Sequence, residues 1–155
     1  VAQYVLSYSG GVLSAGQTVS ININFNLGET QASDFTTSFL TELSNQLPSG
    51  VTLVGNTLTF SASAANSFSF NVGIADDAIL EGTEDYSLTI SNASSGSINN
   101  AVVNTTIAAS DQENIVWNLS GDNQVNEGDS SNYTLSYSGV TLGEGQTASI
   151  DLNIN

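Results

Sequence analysis

A sequence repeat inside the chain is the strongest constraint on its fold. The stretch YVLSYSGGVLSAGQTVSININFN at 4–26 returns as YTLSYSGVTLGEGQTASIDLNIN at 133–155, shifted by 129 residues without a gap. Fourteen of the 23 aligned positions are identical, which indicates repeated structural units. The sequence therefore predicts a window on a longer tandem array with a period of about 129 residues and a repeat boundary near Asp111–Asn114.

This boundary divides the chain into two predicted parts. Residues 1–113 are predicted to form a β-sandwich repeat that lacks its own first strand, and residues 114–155 to supply the first strands of the next repeat. Two modes of linkage are open at this point. Each repeat can fold by itself, like a bead on a string, or residues 114–155 can complete a neighbouring sandwich by strand exchange and give a continuous filament.

Most of the chain alternates apolar and polar residues, which is the period of a β-strand with one buried face. The apolar positions are Tyr4, Leu6 and Tyr8; Val19, Ile21, Ile23 and Phe25; Leu58 and Phe60; Phe68, Phe70, Val72 and Ile74; Tyr86, Leu88 and Ile90; and Ile115, Trp117 and Leu119. Further strands are predicted near 101–109, near Gln124–Asn126, and around Tyr133 and Ala148. These faces predict an all-β fold, an Ig-like Greek-key sandwich of two sheets.

The segment after the second run of alternation departs from this pattern. Ser33 and Asp34 can cap a helix that runs to about Asn45, and Pro48 and Gly50 can end it. We therefore predict one short helical insertion in the sandwich, with an irregular loop as the alternative. Its apolar side is predicted to face the core and consists of Phe35, Phe39, Leu40, Leu43 and Leu47.

The charge composition excludes several classes of function. The chain carries a formal net charge of −15 and contains no Lys, Arg, His or Cys. Nucleic acid and anionic membrane surfaces would be repelled, and no apolar run approaches the roughly 20 residues that span a bilayer. Catalysis is not expected, because the chain has no His, Cys or Lys to act as base or nucleophile. A Cys-free, acidic chain rich in Asn, Ser and Thr is typical of a secreted or cell-surface protein of bacteria.

Five carboxylates crowd into GIADDAILEGTEDYSL at 73–88, between two predicted strands. If successive strands run in opposite directions, this turn shares one pole of the sandwich with the connection that carries Glu29, Asp34 and Glu42. Like charges that share a site disfavour each other's ionisation. A Ca²⁺ ion, which takes about 6–8 oxygen ligands, would relieve the repulsion. The alternative is a solvated acidic loop that keeps the chain soluble.

The order of residues in this turn resembles the signature of Calx-beta domains, the β-sandwich modules of sodium–calcium exchangers and of many large bacterial surface proteins. The family pattern is a hydrophobic strand, two or three Asp, an apolar residue, Glu, a short acidic stretch and an aromatic residue. The residues that match it in order are Ile74, Asp76, Asp77, Ile79, Glu81, Glu84 and Tyr86. ASDF at 32–35, VNEGD at 125–129 and AASDQEN at 108–114 resemble further elements of the family.

The resemblance implies a Ca²⁺ site at the pole of the sandwich. The implied ligands of this repeat are the side chains of Asp76, Asp77, Glu81 and Asp111 and the backbone carbonyl of Ile79. Glu127 would take a corresponding place in the next repeat. Ala78 stands where exchanger loops have a third Asp, which favours a single Ca²⁺ that stiffens the junction over a sensor of several ions.

We therefore expect a structural module of a long extracellular array, either an adhesin stalk or a self-assembling fibre, with Ca²⁺ at the junctions between repeats. Its partners would be neighbouring repeats of the same protein, joined by strand exchange or by lateral contacts between fibres. The alternative is an adhesion module that binds a glycan or a host protein, with the helical insertion as the best candidate surface. Trp117 is predicted to lie in the core, since it alternates with apolar neighbours.

Overall fold

A computed structural model describes residues 1–109, 115–143 and 145–153, which form two compact units. The first unit comprises Val1–Asp76 and Glu84–Ile107, and the second comprises Asp77–Thr83 and Ala108–Asn155. The described residues are mainly antiparallel β-structure, so the predicted all-β class is confirmed. In this part of the chain no helix is both long and apolar enough to cross a membrane.

Eleven strands and two short helices occur in the described residues. Their order is β1 (Ala2–Ser7), β2 (Thr18–Asn26), a 3-10 helix (Ala32–Asp34), α1 (Phe39–Ser44), β3 (Val51–Val54), β4 (Thr57–Ser61), β5 (Ser67–Val72), β6 (Ile79–Leu80), β7 (Glu84–Ser91), β8 (Val102–Ile107), β9 (Val116–Gly121), β10 (Tyr133–Ser138) and β11 (Thr141–Leu142). Strands β6, β9, β10 and β11 belong to the second unit, and all other elements belong to the first.

The first unit is built from two antiparallel sheets. Five strands form one sheet in the order β3-β4-β2-β7-β8, and β1 pairs with β5 to form the other. Strand β2 is central because it has two partners: Thr18–Asn22 pairs with β4 and Asn22–Asn26 pairs with β7. The sheet order brings together strands that are far apart in sequence.

The two sheets share one apolar core. Every second residue of each strand faces inwards, and the inward residues include Ile23, Leu58 and Phe60 from one sheet and Leu6, Phe68 and Phe70 from the other. Aromatic rings join the sheets, because Phe60 packs against both Tyr8 and Phe68. Full burial of one such side chain contributes about 1.5–3 kcal/mol, so the period-two pattern is the main source of stability.

A hydrogen-bonded cluster of hydroxyl groups also links the two sheets. The Tyr4 hydroxyl on β1 lies 2.7 Å from the Tyr86 hydroxyl on β7 and 2.6 Å from Thr105 Oγ1 on β8. Tyr86 is almost fully buried. Burial, followed by the hydrogen bond to Tyr4, raises the pKa of Tyr86 well above its ordinary value.

The predicted helical insertion is present but shorter than expected. Instead of one helix to Asn45, the chain forms the 3-10 helix, an extended stretch from Phe35, and then α1. Phe35 is extended because its backbone pairs with Ile74 beyond β5. The α-helix therefore begins after Ser38, and Phe39 and Leu43 are its buried residues. These two side chains belong to the core of the first unit, as the apolar pattern predicted. Leu40, which the same pattern placed on the core-facing side, is 39% exposed, so that part of the prediction is wrong.

Helix α1 and the residues directly after it also satisfy one edge of strand β5. The Gln46 amide accepts a hydrogen bond from the backbone N–H of Asn71 at 2.8 Å and donates one to its carbonyl at 3.0 Å. Two residues on, the N–H of Gly73 donates to Glu42 Oε2 at 2.9 Å. Side chains thus take the place of a neighbouring strand. Asn71 lies opposite Gln3 of β1, yet both of its backbone groups bond to Gln46, so this edge of β5 lies away from β1. The N–H of Gly73 points the same way, because residues two apart in a strand direct their N–H and C=O groups to the same side.

The second unit contains two strand pairs. Strands β9 and β10 form an antiparallel hairpin, and β6 and β11 form a short parallel pair. Trp117 on β9 is half-buried against Tyr137 on β10, with ring centroids 5.6 Å apart. Its predicted neighbour Leu119 is 61% exposed, so the assignment of this strand face to a core is wrong for that residue.

Two further strand predictions in the second unit are wrong. Gln124–Asn126 forms no strand, and neither do residues 145–153 around Ala148. The first copy of the Ala148 segment, β2, is a strand because β4 and β7 pair with both of its edges. The sequence contains a second copy of β2 but no second copy of either partner, so local alternation alone does not produce a strand there.

The raised pKa of Tyr86 predicts a loss of stability at alkaline pH. The unfolded chain releases the Tyr86 proton near pH 10, whereas the folded chain holds it to a higher pH. The stabilisation of the folded state by the protonated Tyr86 is complete below about pH 10. It is lost as the pH rises towards the folded pKa, at about 1.4 kcal/mol per pH unit. The free energy of unfolding, measured by urea denaturation from about pH 9 to about pH 11, should fall less steeply with pH in Tyr86→Phe than in the wild type. The exposed control Tyr133→Phe should keep the wild-type steepness, and an unchanged slope in Tyr86→Phe would contradict the assignment.

The bridging role of Gln46 predicts that Gln46→Glu is destabilising, although the two side chains have nearly the same shape. The substitution removes the donor to Asn71 and places a second carboxylate near Glu42, so we expect a loss of about 1–3 kcal/mol in the free energy of unfolding. Urea denaturation measures it. Gln124→Glu introduces the same charge at an exposed site and should change stability far less. Equal losses in the two variants would show that Gln46 does not act through this edge.

Candidate metal site

Two connections meet at one pole of the first unit, namely the segment after β2 and the segment around the start of β7. The backbone N–H of Glu29 donates to the carbonyl of Asp85 at 3.0 Å. The N–H of Ala75 donates to the carbonyl of Asp34 at 2.8 Å, beside the Phe35–Ile74 bridge. The acidic residues of both segments are thus held in place by backbone pairing.

Gly28 is the residue that allows the first of these contacts. Its φ is +63°, in the left-handed region that side chains rarely adopt. A Cβ atom at this position would overlap the carbonyl oxygen of Asp85. The close approach of the turn after β2 to the start of β7 therefore requires a glycine.

Asp34 is the buried acid of this pole. Its side chain is 8% exposed and lies at the end of the 3-10 helix. Its Oδ2 accepts a short hydrogen bond of 2.6 Å from the backbone N–H of Gln31, and Ser33 Oγ donates to Oδ1 at 3.4 Å. A buried carboxylate is costly unless such partners replace water, so the local turn makes this position tolerable.

Asp34 and Glu84 bring two carboxylates together across the pole. Each residue offers a carboxylate oxygen, and these oxygens lie within 4.8 Å of one another. A Ca²⁺ ion binds oxygen at about 2.3–2.6 Å, so a single ion can reach both without a rearrangement of the backbone. Oxygen donors without imidazole or thiolate suit a hard divalent cation rather than a transition metal. The pair therefore fits one part of a Ca²⁺ coordination shell.

Two neighbouring acids are used in structural hydrogen bonds. Thr106 Oγ1 on β8 donates to Asp85 Oδ1 at 2.5 Å, which ties β7 to its edge strand. Glu42 accepts the hydrogen bond from Gly73 described above. These contacts give each of the two carboxylates a structural role that requires no ion.

The six residues predicted as metal ligands lie in different parts of the structure. Asp76 is exposed at the end of a segment of the first unit, whereas Asp77, Ile79 and Glu81 belong to the second unit. Asp77 Oδ1 accepts a hydrogen bond from the N–H of Ile79 at 2.9 Å and closes a local turn. The other two predicted ligands are Glu127, which is exposed in a turn of the second unit, and Asp111, which lies outside the described residues.

The sequence interpretation placed Asp34 and Glu84 at this pole but did not include them among the ligands. The ASDF motif at 32–35 contained the signal for Asp34. The signal for Glu84 was its place at the start of β7, directly beside the turn that carries the other acids. Their proximity depends on the pairing of Phe35 with Ile74, a contact that no local pattern shows.

A shallow groove is a separate feature of the first unit. It has a volume of about 510 Å³ and lies where α1 meets β2. The residues that line it include the apolar side chains of Phe39 and Leu40 and the polar residues Asn24 and Asn56. The Asn56 amide donates to Asn24 Oδ1 at 2.7 Å, so these two polar side chains hold each other in place.

Comparison of the chain with protein-family models, with curated proteins and with solved structures found no match. The likeness of the acidic turn to Calx-beta domains is therefore a resemblance in residue order alone.

Proposed function

We propose that the chain is a structural repeat module of a long extracellular array. The observation that carries the proposal is the internal repeat, because both of its copies contain a sheet strand at the same place. The first copy contains β1 and the second contains β10. Similar segments that each contain a strand are what stacked or linked repeats require. The absence of Lys, Arg, His and Cys agrees with a structural role rather than a catalytic one.

The proposed fold of one repeat is an Ig-like Greek key. Its support is the set of neighbouring strands in the first unit: β1 lies beside β5, and β7 lies between β2 and β8. These are the B–E and C–F–G neighbours of an Ig-like sandwich. The β3–β4 hairpin extends the second sheet beyond β2. In this scheme β9 and β10 are the first two strands of the following repeat.

The proposed role of Ca²⁺ is to tie the acidic pole together and stiffen the junction between repeats. Asp34 and Glu84 support it through the close approach of their oxygens. The ligands carried over from the sequence are Asp76, Asp77, Ile79, Glu81 and Asp111, with Glu127 in the next repeat. A bound ion supplies the positive charge that the side chains of this chain lack, and the protein residues orient the oxygens around it.

A second candidate function is adhesion through recognition of a glycan or a host protein. The groove between α1 and β2 favours it, because hydrogen-bonded amides and apolar side chains line it together. Amide groups can donate and accept hydrogen bonds to sugar hydroxyls or to a peptide backbone. This candidate and the structural role are compatible in a surface stalk.

The metal proposal predicts that Ca²⁺ raises the melting temperature of the chain relative to EDTA, because an ion bound by the folded state alone stabilises it. At a free concentration of about 100 times the dissociation constant, this amounts to about 2.7 kcal/mol. Asp34→Asn and Glu84→Gln should each reduce the Ca²⁺-dependent increase, and Asp77→Asn and Glu81→Gln test the ligands inferred from sequence. Asp151→Asn removes one charge at an exposed site and is the control. No binding heat together with equal melting temperatures in Ca²⁺ and EDTA would refute the site.

The array proposal predicts an extended particle from a chain with several 129-residue periods. Small-angle scattering should show a maximum dimension that grows in proportion to the number of periods, and Ca²⁺ should narrow the distribution of lengths. Removal of Ca²⁺ should broaden that distribution without unfolding the repeats. Collapse of the periods into one compact globule would contradict the structural role.

A further inference from the structure

We propose that the connection Asp77–Thr83 is a clasp, a segment of the first repeat that folds into the following repeat and limits its movement. The inference rests on the proposed structural role and deepens it, since it names the element that joins two consecutive repeats. The partner of the clasp is the segment directly after β10, which contains β11. The alternative is an ordinary surface loop of the first unit, with the next repeat joined to that unit only by the chain after Ile107.

The path of the chain separates the clasp from the rest of its own repeat. In sequence, the clasp lies between β5 and β7, and both of these strands belong to the first unit. In space, Asp77–Thr83 belongs to the second unit together with Ala108–Asn155. The chain therefore passes between the units three times, after Asp76, after Thr83 and after Ile107. Domains joined by one linker move relative to each other by default, whereas two further covalent passages remove much of that freedom.

Backbone hydrogen bonds hold the clasp against β11. Strand β6 of the clasp pairs in parallel with β11. The N–H of Thr141 donates to the carbonyl of Ala78 at 2.7 Å. Two residues on, the N–H of Gly143 donates to the carbonyl of Leu80 at 3.0 Å. A parallel pair cannot come from a short hairpin, so this contact joins two distant parts of the chain.

Leu80 is the apolar anchor of the clasp. It is 4% exposed, and among the buried hydrophobic residues of the described chain it is the only one outside the core of the first unit. It is also the only buried hydrophobic side chain in the described part of the second unit. Its register partner Leu142 is half-buried and recurs as Leu13 in the first copy of the internal repeat. A leucine on an ordinary surface loop would be exposed or would enter the core of its own unit, so the burial of Leu80 favours the clasp.

Gly143 allows the close approach of the two segments. A Cβ atom at this position would lie 2.9 Å from the carbonyl oxygen of Leu80, which is closer than real Cβ atoms come to backbone oxygens. Gly82, in contrast, has room for a Cβ atom, whose nearest neighbour would be Gln146 Nε2 at 3.5 Å. The two glycines therefore form a matched pair for substitution. The first copy has Ser14 in place of Gly143, so the need for glycine concerns the junction that this chain contains.

Hydrogen exchange measured by mass spectrometry tests the clasp in the full chain. In the wild type, the amides of Thr141 and Gly143 should exchange slowly, because each donates a hydrogen bond to the clasp. Gly143→Ala should raise the exchange rate of this segment about tenfold or more, whereas Gly82→Ala should change it less than about twofold. Slow exchange in β2 and β7 reports that the first unit stays folded in each variant. Equal exchange rates of the segment in the two variants would overturn the proposal.

A second pair of substitutions tests the anchor. Leu80→Asn should raise exchange in the same segment at least about tenfold, because a buried apolar side chain is lost. Val54→Asn makes a similar change at a side chain that is 78% exposed, and exchange in the segment should stay at the wild-type rate. Both variants should keep slow exchange in β2 and β7, since neither residue belongs to the core of the first unit. Exchange at the wild-type rate in Leu80→Asn would show that this residue anchors nothing and would refute the clasp.

A pair of spin labels tests whether the clasp limits movement. The wild-type chain has no Cys, so Thr52→Cys combined with Thr134→Cys places one label on each unit, at two exposed positions. Double electron–electron resonance measures the distribution of distances between the labels. The distribution should be narrow when Gly82→Ala is added and at least about twice as broad when Gly143→Ala is added. Equal widths would contradict the proposal, because the pairing of β6 with β11 would then restrain nothing.

Failure of this inference can be separated from failure of the proposed function. If a chain of several periods forms an extended particle while Gly143→Ala changes neither the exchange rate nor the width of the distribution, the array role stands and the clasp is refuted. If Gly143→Ala raises exchange and broadens the distribution while the multi-period chain collapses into one globule, the clasp stands and the array role is refuted.

Discussion

Hydrogen bonding at the edges of the β-sheets is the constraint on which the rest of this structure depends. The chain has no disulfide and no cationic side chain, so sheets and core must supply its stability without covalent or ionic links between side chains. Sheet edges with open N–H and C=O groups invite other strands. One edge of β5 is satisfied by Glu42 on α1 and by Gln46, two residues after the helix ends. The helical insertion therefore specifies where the smaller sheet of the first unit ends.

Backbone N–H groups also stabilise several of the carboxylates by hydrogen bonds. Asp34, Glu42, Asp77 and Asp122 each accept a hydrogen bond from a backbone N–H, at distances from 2.6 to 2.9 Å. Charge-assisted hydrogen bonds of this kind are stronger than neutral ones. They explain how a chain without cationic side chains can fold around its acids. The carboxylate oxygens of Asp34 and Glu84 lie within 4.8 Å of each other, and this is where we propose that a divalent cation binds.

The sequence predicted what depends on local pattern and missed what depends on distant pairing. Period-two alternation identified inward residues such as Ile23, Leu58 and Phe70, because a strand face is set by parity. The segment around Ala148 has the same alternation but forms no strand, since a strand also needs a partner. Likewise, Ser33 and Asp34 look like a helix cap, but the pairing of Phe35 with the distant Ile74 delays the helix. The approach of Asp34 to Glu84 could not be predicted from the sequence either, because it depends on the same pairing of distant residues.

The acidic residues of the described part of the chain lie almost entirely outside the strands. In the described strands, the only carboxylates are Glu84 and Asp85, at the first two positions of β7. The other acids of the described residues lie in the two short helices or in connections between strands. Strands can therefore pair without local repulsion, whereas contact between two acidic poles requires a counterion. Contact between two poles should then depend on divalent cations and on ionic strength, because it brings carboxylates of like charge together.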